Sequence, residues 1–213
     1  MTSVYLELGS KRIFACALEW PGWCRSGRDA ESALAALTAY AERYAPVAER
    51  AGIPFEFAGL RVVERVRGGS TTDFGAPDRP AAADARPRDE QTARRQAALL
   101  RAAWDLFADV AAASPAELRK GPRGGGRDRD RMIEHVVGAE ASYARRIGLR
   151  HKAPAFDDAD GIAALRADIE RVIAAPSGGA PPLRGGWPLS YAVRRIAWHV
   201  LDHVWEMQDR ATP

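Results

Sequence analysis

The chain has few cysteines, few lysines, no long apolar run and little net charge. Two cysteines in 213 residues, Cys16 and Cys24, are too few for a disulfide framework, and their spacing is not that of a CxxC pair. We therefore expect both to be structural thiols of a reduced, cytoplasmic protein. No stretch reaches the roughly 18–20 consecutive apolar residues needed to span a bilayer. Met1–Glu7 has none of the charged, apolar and cleavage regions of a signal peptide. Only three of the 31 basic residues are lysines, and the 28 acids leave a net charge of just +3. That surplus gives a nucleic-acid binder no electrostatic footing, and the arginine bias reads as base composition of the genome. A nucleophile elbow and a phosphate-binding P-loop are also missing. With 46% hydrophobic and 28% charged residues, the chain is neither disordered nor fibrous.

What is present falls into two compositional halves. Residues 4–8 and 11–19 read as strands about the turn Gly9-Ser10, and Pro21-Gly22 then breaks the chain. Ala30–Ala51 has Leu34, Leu37, Tyr40, Tyr44 and Val47 at helical spacing, with Pro46 as a point where the helix would kink or end. Gly52 suits the position that closes it. Phe55–Val66 returns to strand, giving a β-β-α-β unit over residues 1–67. Residues 68–88, rich in Gly, Pro and small polar side chains, read as a linker. Four helices follow in 89–213, at Glu90–Ala113, Asp128–Gly148, Asp158–Ala175 and Leu189–Arg210. The expected class is α+β, a small sheet unit followed by a four-helix bundle.

The chemistry lies in the histidines. His199 and His203 are four apart and share one face of the last helix, within its apolar stripe. Glu206 falls on the same face, and Asp202 lies somewhat to one side. Two neutral imidazoles at this spacing can bind a divalent ion if another helix supplies a third ligand. His135 is the candidate, with Met132 one turn before it. Gly138, Ala139 and Ser142 follow, and their small size would let a neighbouring helix come close. Three neutral ligands leave an ion with open positions, the ligand count of a catalytic site. Glu206 is then a fourth ligand, an orienting acceptor or a proton carrier, and in an enzyme it is the catalytic residue that we expect to carry the proton. Histidines hydrogen-bonded to Glu206 or Asp202 would equally satisfy burial without a metal. His151, just past a helix end, reads as a solvated residue interacting with the helix dipole. Arg123 and Arg127, in a Gly-rich run before the His135 helix, form either an anion site or a solvated loop. Tyr191, Trp198 and Trp205, seven apart, read as packing against a neighbouring helix or domain, the alternative being an aromatic wall of the pocket.

Met132-Ile-Glu-His135 through Gly148, with Arg194 through Arg210 containing His199-Val-Leu-Asp202-His203, resembles the DinB-like superfamily, which includes mycothiol-dependent maleylpyruvate isomerase-like proteins and bacillithiol transferases. The resemblance covers about residues 88–211. It implies a bundle whose His135, His199 and His203 hold zinc or nickel, a low-molecular-weight thiol as co-substrate, and thiol transfer or isomerisation on a small electrophile. Some members continue the HxxxH with Arg-Gly-Gln, where this chain has Val204-Trp205-Glu206. Residues 3–65, with Trp20-Pro-Gly-Trp-Cys24 and Gly27-Arg-Asp-Ala-Glu31, are similar to HicB-like domains. That likeness implies an accessory unit that docks a protein partner or a second copy. Two readings stand: a metal-dependent enzyme with a small-molecule substrate, and a non-catalytic metal-binding or ligand-sensing protein. Neither involves nucleic acid or a membrane.

Overall fold

The computed structural model describes residues 1–121 and 126–211. It is an α+β protein. Its N-terminal part is a four-stranded mixed sheet in the order β3-β2-β1-β4, from β1 (Thr2–Leu8), β2 (Ile13–Ala17), β3 (Cys24–Gly27) and β4 (Leu60–Arg67). β1 and β2 are antiparallel, as are β2 and β3, whereas β4 runs parallel to β1. Between β3 and β4 come α1 (Ala30–Ala39) and α2 (Ala41–Arg50).

Alternation along the strands gives the sheet two different faces. Val4, Leu6, Ala15 and Ala17 belong to the main core, together with Leu37, Tyr44 and Trp23. Tyr5, Phe14, Cys16 and Cys24 form a second cluster on the other face, closed by Trp198 from the C-terminal half. The Trp23 indole stacks on Tyr44 at 5.7 Å and donates to the Leu37 carbonyl at 3.0 Å.

The unit departs from the expected β-β-α-β in three places, one being that its last strand begins at Leu60 and not at Phe55. β3 adds a strand, paired to β2 through the hairpin that turns at Pro21-Gly22. Its four residues, Cys-Arg-Ser-Gly, carry no apolar alternation to announce it. The expected single helix is interrupted at Tyr40, whose ring packs on Trp205 at 4.8 Å and lies under the Arg25 guanidinium at 4.1 Å. Pro46 lies inside α2 and does not end it. Gly52 closes α2 as expected: with φ of +68° it donates to the Glu49 carbonyl, while Ile53 donates to that of Ala48.

Residues 68–88, read as a linker, are bound down. They hold α3 (Ser70–Phe74) and a single turn of 3-10 helix at Ala82–Ala85. The buried Glu7 carboxylate accepts from the Thr72 hydroxyl and from the backbone N–H groups of Asp78 and Arg79. Glu64 accepts from Ala82 N–H at 2.9 Å. Asp84 makes a buried ion pair with Arg194 at 2.7 Å. Composition shows the missing periodicity of such a segment but not the carboxylates that capture its backbone.

The four long helices are α4 (Glu90–Ala113), α5 (Arg129–Arg146), α6 (Ala159–Ile173) and α7 (Leu189–Ala211). Their limits lie within two residues of those expected. Asp89 and Asp158 cap α4 and α6 through bonds to the N–H groups of Thr92 and Gly161. α7 packs on both α4 and α5, and α6 packs on the same two. Most of α7 is buried, because α5 covers one side and the N-terminal sheet approaches another. Among the described residues, no helix is long and apolar enough to cross a membrane.

Candidate metal centre

α7 has no interior Gly or Pro, so its regular geometry stacks His199 and His203 one above the other. α5 brings His135 against them. The ring centroids are 4.9 Å apart for His135 and His199, 4.9 Å for His135 and His203, and 4.7 Å for His199 and His203. One nitrogen from each ring lies within 4.8 Å of the other two. Nε2 of His135 and Nε2 of His199 are 3.1 Å apart. Two nitrogens bound tetrahedrally at about 2.0–2.1 Å from one ion stand roughly 3.3 Å apart, so His135 and His199 already have the spacing that a small divalent cation sets.

The protonation states also suit ligation. His199 is held well below its usual pKa by burial, then by the nearby His203 and Arg195. His135 is lowered to about 4, by burial first and then by His203 and Arg127, against a smaller opposing effect of Glu206. Both rings are therefore neutral at pH 7. Nδ1 of His203 lies 2.9 Å from Oε2 of Glu206. Glu206 is lowered chiefly by that hydrogen bond and, further down, by Arg210, so it is ionised and can only accept. The carboxylate therefore accepts from Nδ1 of His203, and Nε2 is the nitrogen of that ring left for a metal.

Of the roles open to Glu206, its contacts match an orienting acceptor. Its second oxygen accepts from Nη1 of Arg210 at 2.6 Å, and Nε of Arg210 donates to the Arg119 carbonyl at 2.6 Å. Asp202 faces the other way and pairs with Arg25 of β3 at 2.8 Å, so it does not orient a histidine. His151 is not a freely solvated helix-end residue, because its Nε2 lies 2.8 Å from Asp168 of α6. Arg127 is exposed near the cluster, close enough to depress His135 and His199. Arg123 lies outside the described residues.

The expected close approach at Gly138 does not occur: a Cβ placed there would meet nothing within 4 Å. Tyr191 packs against Trp187, Trp198 against Phe14 of β2, and Trp205 against Tyr40, so the aromatic stripe is packing.

Two neighbours of the site were not expected. The Tyr143 ring meets His199 edge-on at 5.7 Å. The buried Arg195 guanidinium lies 4.8 Å from the Tyr143 ring centre and 4.6 Å from that of Trp198. Arg195 stands four residues before His199, so the spacing that paired the histidines also placed it on their face. A cavity of about 770 Å³ between α4, α5 and α6 lies elsewhere, lined by Trp104, Phe107, Ile133, Val137 and Ile162. Ile133 and Val137 are each about 160° around α5 from His135, on its opposite face. Beside this cavity Glu140 is buried, accepting from Trp104 at 2.8 Å and from Arg166 at 3.0 Å.

Set against known proteins, the chain matches no family model, no curated protein and no solved structure.

Proposed function

We propose that His135, His199 and His203 bind one divalent cation, zinc or nickel, and that the protein is a metal-dependent enzyme of the DinB-like type. On this reading α4 to α7 form the DinB-like bundle and the sheet unit is a HicB-like accessory domain. The reaction class is thiol transfer or isomerisation on a small electrophile. The observation that carries the proposal is the third ring. A direct N–H···N bond would account for the 3.1 Å between His135 and His199 by itself. It would not account for a third imidazole facing both, with its far nitrogen held by a carboxylate.

A bound cation of this kind supplies Lewis acidity, lowering the pKa of a thiol or water. The chain's own residues provide the setting. Burial keeps His135 and His199 uncharged, so neither needs to lose a proton at neutral pH. Glu206 keeps the His203 proton on Nδ1, and Arg210 holds Glu206 in place. Arg127 offers a positive charge beside the cluster for an anionic thiol or substrate. The alternative is a metal-binding sensor without catalysis. The position of the 770 Å³ cavity, on the side of α5 away from His135, is the observation that favours it.

Elemental analysis of the purified protein should find about one zinc or nickel per chain. His199→Ala should lose it, and Glu206→Gln should keep it with roughly 10–100-fold weaker affinity in a chelator competition. No metal in wild type would refute both readings. If metal is present, thiol consumption with a panel of electrophiles, stopped by chelation, separates the enzyme from the sensor.

A further inference from the structure

The two cysteines, eight residues apart in sequence, lie directly opposite each other on neighbouring strands. β2 and β3 pair with Cys16 facing Cys24. Ala17 N–H donates to the Trp23 carbonyl at 3.0 Å, one of the two bonds of a hydrogen-bonded pair, while the Trp23 N–H turns to the Trp20 carbonyl. The next pair, 16–24, is therefore non-hydrogen-bonded, the kind in which side chains approach most closely. Its Cα atoms are typically about 4.5 Å apart, inside the roughly 4.4–6.8 Å span that a disulfide bridges. The sulfur atoms are 2.9 Å apart on one face of the sheet, within a cluster closed by Tyr5, Phe14 and Trp198.

We propose that Cys16 and Cys24 form a dithiol site that closes to an intrachain disulfide by exchange with a low-molecular-weight disulfide. The Cys24 thiolate attacks one sulfur of the small disulfide and releases its other half as a thiol. The Cys16 thiolate then attacks Cys24 sulfur and displaces the second half. Two protein S–H bonds become one S–S bond, and one small disulfide is reduced to two thiols that carry both protons. Cys24 reacts first because it belongs to β3, a four-residue strand at the sheet edge, whereas β2 is held on both sides. Both thiols are buried, and burial raises the Cys24 pKa, so exchange needs β3 to open. β3 also carries Arg25, the partner of Asp202 on α7, so closure fixes the strand that braces the helix bearing His199 and His203.

The test is equilibration of the full chain in a glutathione redox buffer, approached from fully reduced and from fully oxidised protein refolded out of urea. Acid quenching, alkylation and mass measurement then give the ratio of disulfide to dithiol. A parallel series kept in denaturing urea gives the unfolded reference. The folded chain should favour the disulfide by at least about tenfold over the unfolded chain, as a monomer that takes up no alkyl group and is about 2 Da lighter than the reduced chain before alkylation. By linkage the disulfide then favours the fold by the same factor, so the oxidised protein melts at a higher temperature. An equal or smaller ratio in the folded chain, or a predominance of glutathione adducts or linked dimers, overturns the proposal. Cys16→Ala, which removes one sulfur, should give only the adduct.

Discussion

His135 and His199 have the same electrostatic problem: a charge that water would accept is disfavoured where they sit. In the unfolded chain each takes up a proton near pH 6.5, whereas folded His135 does so only near 4 and burial holds folded His199 well below its usual value. Between those values the unfolded state binds more protons, so stability falls as pH falls. The metal-free protein should therefore keep these histidines' full contribution above pH 6.5 and lose it progressively toward pH 4. Glu7 and Glu140, raised chiefly by burial, act with the opposite sign over part of that range. The readout is thus the difference between wild type and His199→Asn in urea midpoints at pH 7 and 5. Equal pH dependence in the two would mean that the His199 ring is solvated. His199 and His203 were legible from their four-residue spacing, and His135 from the need for a third ligand on another helix. The partner of Asp202 was not, since Arg25 lies 177 positions away and only the folded sheet brings it near.

Two glycines show how the element around a residue decides its worth. Gly52 closes α2 with φ of +68°, a conformation in which a side chain is strained. Gly138 is inside α5, with open space where a Cβ would stand. Gly52→Ala should cost about 1 kcal/mol, and Gly138→Ala should add about 0.5–1 kcal/mol, both read from urea unfolding. The same sign for both would contradict the geometry. The long helices were readable because each is periodic, and Asp89, Asp128 and Asp158 stand just before the first three. β3 and the break at Tyr40 were not, because both arise from partners outside the segment. β3 exists by pairing with β2, and Tyr40 turns to meet Trp205 and Arg25.

At the scale of the molecule, the core runs without interruption from Val4 and Leu37 to Leu100, Val136 and Val200. The segment 68–88 fastens the sheet unit to α7 through Asp84 and Arg194, whose side chains are 1% and 7% exposed. Asp84→Asn leaves the Arg194 charge buried without its counterion and should cost about 3–5 kcal/mol. The double replacement Asp84→Leu with Arg194→Met should recover most of that loss, measured as denaturant midpoints. Failure of the double variant to recover would place the cost elsewhere in the segment. Compositional shifts mark where the two halves meet in sequence, but no local pattern reveals a tie across 110 positions.

α7 carries the imidazoles on one flank and, on others, Trp198 against β2, Trp205 against Tyr40 and Asp202 against Arg25. Rolling such a rod by only about 10° would sweep its ring nitrogens through roughly 1 Å, half a coordination bond. The N-terminal sheet thus works as a rotational stop, and whatever loosens its grip detunes the imidazole cluster without touching it.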